Sequence, residues 1–563
     1  MDSALLSGIS GMRAHQTMID VAGNNLANLS TTAFKTSRVT FADQLNNTLR
    51  EASQPSGDFG GTNPMQVGTG VAVASIDRNV TQGTIQSTGQ PLDMAINGSG
   101  FFVLSNQGTP YYTRAGSFQV DSANYLVDPS TGYRLQRFGN VGVSEGFQAN
   151  GDNSIHIPYN QAMKANGTTL IDYTGNLSPS DTVAARNVLV SGLSYTVGGS
   201  VAGTNNTFDQ LDQVTGGALS TTDTIHVSGK TADGTAVSAD YGVYDAATTA
   251  YKTLEDFLSF LNTAYPGSDA TLSQGQIVMT DNVTGYSQTD LNLTYVPGIA
   301  GGPTLQTPNY FQMATAGGEA VQPTTLSIYD NQGNSYTLSA TFVKTKATNT
   351  WDLVINDVAG PGEVTLTTRR ISGIEFMPDG SFKGLADPNG KLRFQLSFAK
   401  EGDVPKDINV NLGTPGLNDG ITQCGTNSGT QGSTATASGQ DGYASGWLSS
   451  LSVSQSGMVE GVFDNGIRRD IAQIQLATFQ NSAGLLDIGN NYFVASANSG
   501  VASATSAGAN GAGAIQGQSL EKSNVDVATE FVNLIQAQNG FQANARTIKV
   551  SNDMMSELTG LLR

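Results

Sequence analysis

Cysteine is nearly absent. Cys424 stands alone among 563 residues, so no disulfide within the chain can staple the fold. Charge is scarce too: Asp, Glu, Lys and Arg make up 13%, about half the usual ~25%. Within that share basic residues are the fewer, 27 against 46 acidic for a formal charge of -19, which argues against nucleic acid or an anionic membrane surface as partner. The three histidines, His15, His156 and His226, lie far apart with no Cys or carboxylate at metal-ligand spacing, so no metal is indicated. No apolar run approaches the ~20 residues of a bilayer span. The start, "MDSALLSGISGMRAHQ", lacks the basic and unbroken apolar regions of a cleaved secretory signal. No Walker-type loop, G-x-S-x-G elbow or H-E-x-x-H helix occurs, so nothing supports an enzyme or implies a cofactor.

Glycine is abundant instead, with 67 residues, well above the typical share of about 7%. A long chain short of charge and rich in Gly, Thr, Ser and Asn suits a mainly β, multidomain fold with many turns.

The two ends read as helix. Leu5, Met12, Ile19 and Leu26 fall seven apart, with Ile9 between the first two. Val527, Leu534, Phe541, Ile548, Met555 and Leu562 hold the same step without a miss, and Phe531 adds to a second row. One full apolar row over six heptads predicts a long helix suited to coiled-coil packing. Residues 3–29 would extend about 40 Å and 525–562 about 57 Å. Ser523, Asn524 and Asp526 offer capping side chains, after a Gly/Ala/Ser stretch, 497–519, that reads as a flexible or extended lead-in. "GNNLANLSTTAFK" (23–35) is anomalous: Gly23, Asn24, Asn25 and Asn28 are poor helix formers at the end of a helix.

Between the ends strand patterns dominate. "LDMAINGSGFFVL" (92–104) reads as a hairpin about an Asn-Gly turn. A second hairpin, 324–345, turns at 330–334, and 446–479 gives at least three strands with turns at Ser456-Gly457 and Asn465-Gly466. "TLEDFLSFLNTAY" (253–265) has helical spacing and is followed by strand patterns, a small α+β insertion bounded by composition changes near Asn187 and Pro308. Cys424 reads as a small packed residue, with an inter-subunit cross-link as the alternative.

Terminal helices with so few companions cannot bury both apolar faces within one subunit, so the helices are expected to pack on each other and on copies of the chain. A head-to-tail interface that does not close makes a helical filament. The residues singled out for self-assembly are those of the two apolar rows with Ile9, Phe531, Asn24, Asn25 and Asn28; the amides could bond neighbouring subunits' backbones.

These stretches together resemble the bacterial flagellar rod and hook axial proteins, and most closely flagellar hook proteins. "GNNLANLSTTAFK" is similar to their N-terminal signature. The 92–104 and "YYTRAGSFQVD" segments are similar to their first β-domain, and "SNVDVATEFVNLIQAQNGFQANARTIKVSNDM" to their C-terminal signature. "TGNLSPSD", "QDGYASG" and "NNYFVASANSG" favour hook over rod. The family commonly has Gly where Ala33 stands, so no positive-φ turn is implied there. The resemblance implies a nested architecture: 1–30 and 524–563 an inner helical tube, 31–70 and 500–523 an extended connector, 71–155 with 436–499 a first β-domain, 156–186 with 320–435 a second, and 187–319 an outermost α+β insert. It implies export through the flagellar type III apparatus without a cleaved signal and extracellular assembly with itself into a curved tube, a universal joint carrying motor torque to the filament. Implied partners are the distal rod, hook cap, hook-length control protein and hook-filament junction proteins, with no cofactor, nucleic acid or membrane insertion. The alternatives are a distal rod-type axial protein and a secreted multi-β-domain adhesin.

Overall fold

The computed structural model describes residues 2–57, 60–425 and 432–561. It divides into two compact units, Met1–Met163 with Trp447–Arg563 and Lys164–Gly446. Three α-helices are described: α1 (Asp2–Ala27), α2 (Leu254–Ala264) and α3 (Val527–Leu561). Strands make up most of the remaining regular structure, so the fold is mainly β, with paired terminal helices.

In the first unit α1 and α3 pack antiparallel. Gly8 lies against Ile548, Gly11 against Asn544 and His15 against Gly540, and Asn25 bonds Glu530. After α1 the chain enters a long two-stranded ribbon. Strand β1 (Ser37–Asp43) pairs with β4 (Val71–Arg78), and beyond them β2 (Asn46–Arg50) pairs with β3 (Met65–Gly68). A bridge from Ser53 to Thr62 carries the pairing further.

The rest of this unit is sheet. After β5 (Ile85–Ser87) and β6 (Met94–Asn97), β7 (Phe101–Asn106) and β8 (Thr109–Thr113) form a hairpin within a nine-stranded sheet. The hairpin expected about Asn97-Gly98 does not form. β6 takes residues 514–517 as its partner instead, and Gly98 and Gly100, at φ +115° and +121°, turn the chain away. The lead-in of 497–519 is likewise not free: it holds strands at 503–505 and 514–517, with Ile515 buried. Its small residues permit this, since a Cβ on Gly513 would overlap the Asn97 carbonyl. The three strands expected in 446–479 are present, at 448–453, 458–463 and 468–473.

The second unit has two hydrophobic cores. One lies between a five-stranded meander (321–329, 335–344, 350–359, 370–376, 382–385) and a six-stranded sheet. The meander's first turn forms as expected: the Asp330 carboxylate accepts from the Gln332 and Asn334 amides at 3.0 and 2.8 Å. The other core belongs to residues 189–316. There α2 starts as its sequence requires, with Thr253 and Asp256 capping each other reciprocally, and it buries Leu254, Phe257, Leu258 and Leu261. Strands 335–344 and 350–359 serve both cores. Phe342, Leu353 and Ile355 face the first, while Val343 and Val354 face the second.

Candidate self-assembly surface

The terminal helices have the seven-residue period, but their mutual seam is centred on a row other than the large apolar one, which reaches it at Ile548. On α3 the buried positions are Glu530, Ala537 and Ser551; with Asn544 against Gly11 they form a seven-residue row of their own. On α1, Gly8, Gly11, Ala14, Ala22 and Asn25 are buried. Small side chains let the helices approach closely: a Cβ at Gly8 would sit 2.9 Å from an Ile548 carbon, and one at Gly11 2.6 Å from the Asn544 amide. The row Val527, Leu534, Phe541, Ile548 and Met555 lies three residues from the seam row, about 60° around the helix.

The named residues are therefore only partly covered by their own chain. Ile9, Met12, Ile19, Leu26, Val527, Leu534 and Ile548 are half-buried. Leu5 is 37% exposed, Phe541 36%, Met555 46% and Phe531 49%. Leu562 lies outside the described residues. Val532, Ile535 and Leu558, which the sequence reading passed over, extend the exposed apolar surface of α3.

The asparagines divide. Asn25 is buried, and its amide donates to Ser37 O at 2.7 Å and Glu530 Oε1 at 3.0 Å while accepting from Ser37 N. Its hydrogen bonding is satisfied within the chain. Asn28 closes the end of α1 by donating to Asn24 O and accepting from Thr31. Asn24 is exposed. Downstream, Ala33 is buried at φ +58°, with its amide on Glu521 O at 2.8 Å. The positive-φ turn exists although the residue is not glycine. Two residues on, Lys35 Nζ reaches the buried Glu521 carboxylate at 2.6 Å and Thr81 O at 2.7 Å. Of the expected caps of α3, Asp526 does the capping, accepting from Ala528 N at 3.1 Å and Thr529 Oγ1 at 2.6 Å. Asn524 instead accepts from Thr36 N and donates to Asn79 O and Thr81 O.

The ribbon was missed in the sequence. Register places Val39, Phe41, Val71, Val73 and Ile76 on one face near its base; Leu45, Leu49, Met65 and Val67 share a face toward its tip. The base lies along α1, with Phe41 6.0 Å from His15 and the Val71 amide on Ser10 Oγ. The tip has no such cover: Leu45 is 85% exposed, Leu49 59%, Met65 50% and Val67 42%. The opposite face is polar, with Gln66 donating to Thr48. Its signal was the alternation in "VTFADQL" and "VGTGVAV", diluted by Asn, Thr and Gly.

The chain is 31% identical to the flagellar hook protein FlgE of Treponema pallidum, over the full length of both. It belongs to the flagellar hook protein family. The chain is a structural subunit of the flagellar hook, the joint that carries motor torque to the filament. The hook protein of Borreliella burgdorferi is 30% identical, also over both full lengths, and that of Escherichia coli 25% over 99% of this chain and all of its own. Family models agree along the chain: "Flagella basal body rod protein" at 5–35, "Flagellar hook protein FlgE/F/G D1 domain" at 95–178, "Flagellar basal body protein FlaE D2 domain" at 302–443 and "Flagellar basal body rod FlgEFG protein C-terminal" at 516–561. A solved structure of Helicobacter pylori hook protein FlgE2 overlaps 72% of this chain and 93% of its own at 17% identity and a TM-score of 0.36.

For a hook-family chain the remaining candidates are plain. His15 packs against Gly540 on the helix seam, His156 donates its backbone amide to Gln148, and His226 pairs with Asp240 at 2.6 Å on an open sheet. Among the described residues no three His, Cys, Asp or Glu side chains group as metal ligands, and no helix is long and apolar enough to cross a membrane. Cys424 is exposed and free rather than the small packed residue its sequence suggests; its amide donates to Asn176 Oδ1 at 2.7 Å.

Proposed function

We propose that copies of this chain polymerise through the exposed flank of α3, the partly covered row of α1 and the apolar tip of the ribbon. The helices then line the inner tube. The observation that carries the reading is the tip, where Leu45, Leu49, Met65 and Val67 present one unpartnered apolar face. Each such side chain gains about 1.5–3 kcal/mol on full burial, and a tube repeats that gain at every subunit.

The nested scheme is our proposed division: 1–30 and 524–563 as inner tube, 31–70 and 500–523 as connector, 71–155 with 436–499 and 156–186 with 320–435 as β-domains, and 187–319 as insert. Export through the flagellar type III channel needs no cleaved signal and suits a chain without internal disulfides. The distal rod, hook cap, hook-length control protein and hook-filament junction proteins are the proposed neighbours. The role is mechanical, with no catalytic step.

The test is the double variant Leu49→Asp/Val67→Asp, purified and viewed by electron microscopy under polymerising conditions. Folded, dispersed particles are expected. Tubes of unaltered width would remove the ribbon from the interface.

A further inference from the structure

The first unit buries more positive than negative charge at one point. Glu521, fully buried, holds Lys35 Nζ at 2.6 Å and Arg114 Nη1 at 3.4 Å, and both cations are 5% exposed. Among the described residues these two buried cations share one carboxylate, which leaves a positive charge without a counterion. Burial is the largest influence on both, pushing Lys35 and Arg114 below their ordinary values despite Glu521. Arg114 Nη2 donates to Gly98 O at 2.7 Å, but its buried Nε has no partner among the described residues. Unpaired buried charge and unsatisfied donors are both costly.

A cavity of about 80 Å³ lies beside them, lined by Lys35, Arg114, Arg78, Ser99 and Ser482 among others. Arg78 brings a third cation; its own carboxylate partner, Asp487 at 2.7 Å, is on the more exposed side. Phe101 and Phe493 close the wall, each under a guanidinium, at 5.3 and 5.0 Å. A water-sized group needs about 10–15 Å³ of such space, so the cavity has room for an ion of roughly five heavy atoms.

We propose that this cavity binds one small oxyanion of the phosphate or sulfate class, held by Lys35, Arg78 and Arg114 with the Ser99 and Ser482 hydroxyls. Such an ion supplies the missing negative charge beside Lys35 and Arg114. It also ties together five segments: the exit of α1, the end of β4, the turn between β6 and β7, the turn after β8 and the loop at 482. The ion therefore acts as a brace between the terminal-helix junction and the sheet.

The test is amide hydrogen exchange on the full chain in phosphate against gluconate, an anion too large for the cavity, at equal ionic strength. Amides of 79–83 and 96–101 are expected to exchange roughly tenfold more slowly once phosphate is in roughly tenfold excess over its dissociation constant. Changing Arg114 would strip Glu521 of a partner and endanger folding, so Arg78, with a 23% exposed side chain, carries the control. Arg78→Gln should abolish the phosphate response. Ser482→Glu, placing a carboxylate at the rim, should protect the same amides without phosphate and blunt the response to it. Equal protection in phosphate and gluconate, or an undiminished phosphate response in Arg78→Gln, overturns the proposal.

Discussion

Single residues in the stretch 23–35 act inward. Asn25 and Lys35 each reach a glutamate about 500 positions away, Glu530 and Glu521, so a motif read as an assembly surface is in part the knot joining the chain's two ends. Asp526 starts the second helix at that knot. Its carboxyl is held below the usual value by hydrogen bonds from Thr529 and from the Ala528 amide. A carboxylate depressed in the fold stabilises fully above its unfolded value of about 3.9 and loses that contribution as pH falls through the folded value. Urea unfolding of the unaltered chain and of Asp526→Asn should therefore differ above that value and converge below it. A gap that persists in acid would mean that the carboxylate's charge is not what caps the helix. Ala33 marks where sequence reasoning stopped short: an alanine gives no sign of φ +58°, because that conformation is imposed by contacts such as its amide on Glu521 O and not by local preference.

At the scale of elements, period was legible and phase was not. Both helices, the hairpin at 330–334 and helix α2 were read from spacing and turn residues. The seam was not legible because it is made largely of Gly, Ala, Ser, Asn and Glu, which a search for apolar rows passes over. Strand pairing failed where the partner came from far away, as for β6 with 514–517. The ribbon escaped because its apolar face is interrupted by Asn47 and Thr69 and is not buried by the chain itself. Two substitutions one residue apart separate seam from flank. Gly540→Leu drives a side chain into the His15 ring and should cost about 1–3 kcal/mol as overpacking, lowering the helical signal of the monomer on heating. Phe541→Asp, on the 36% exposed flank, should shift monomer stability by no more than about 0.5 kcal/mol while preventing tube formation in electron micrographs. The opposite pattern would make the large apolar row the intrachain seam.

For the whole molecule, the placement of 187–319 decides what can move. A bending tube needs contacts between outer parts that slide, and a stretch added to a hook chain would be a natural sliding piece. Its core is not closed, however. Val343 and Val354, on strands outside the stretch, are fully buried in it. Buried Asp352 on the same sheet accepts from Tyr286 at 2.7 Å and Arg370 at 3.0 Å, while Arg370 also holds Ser287 O. Sliding here would expose both valines, about 1.5–3 kcal/mol each, and strip Asp352 of a donor. The stretch and its sheet therefore move as one body. Excision tests this cleanly because the ends meet: Ala185 and Gly318 are bridged, with the Ala185 amide 3.0 Å from Gly318 O. Deleting 187–319 should lower the urea stability of the remaining 164–446 sheet by several kcal/mol, roughly the two valines together. Replacing Val343 and Val354 by Thr in the deleted chain should recover solubility without recovering that stability. Unfolding unchanged by the deletion would instead describe a self-contained domain, free to swing on its two links.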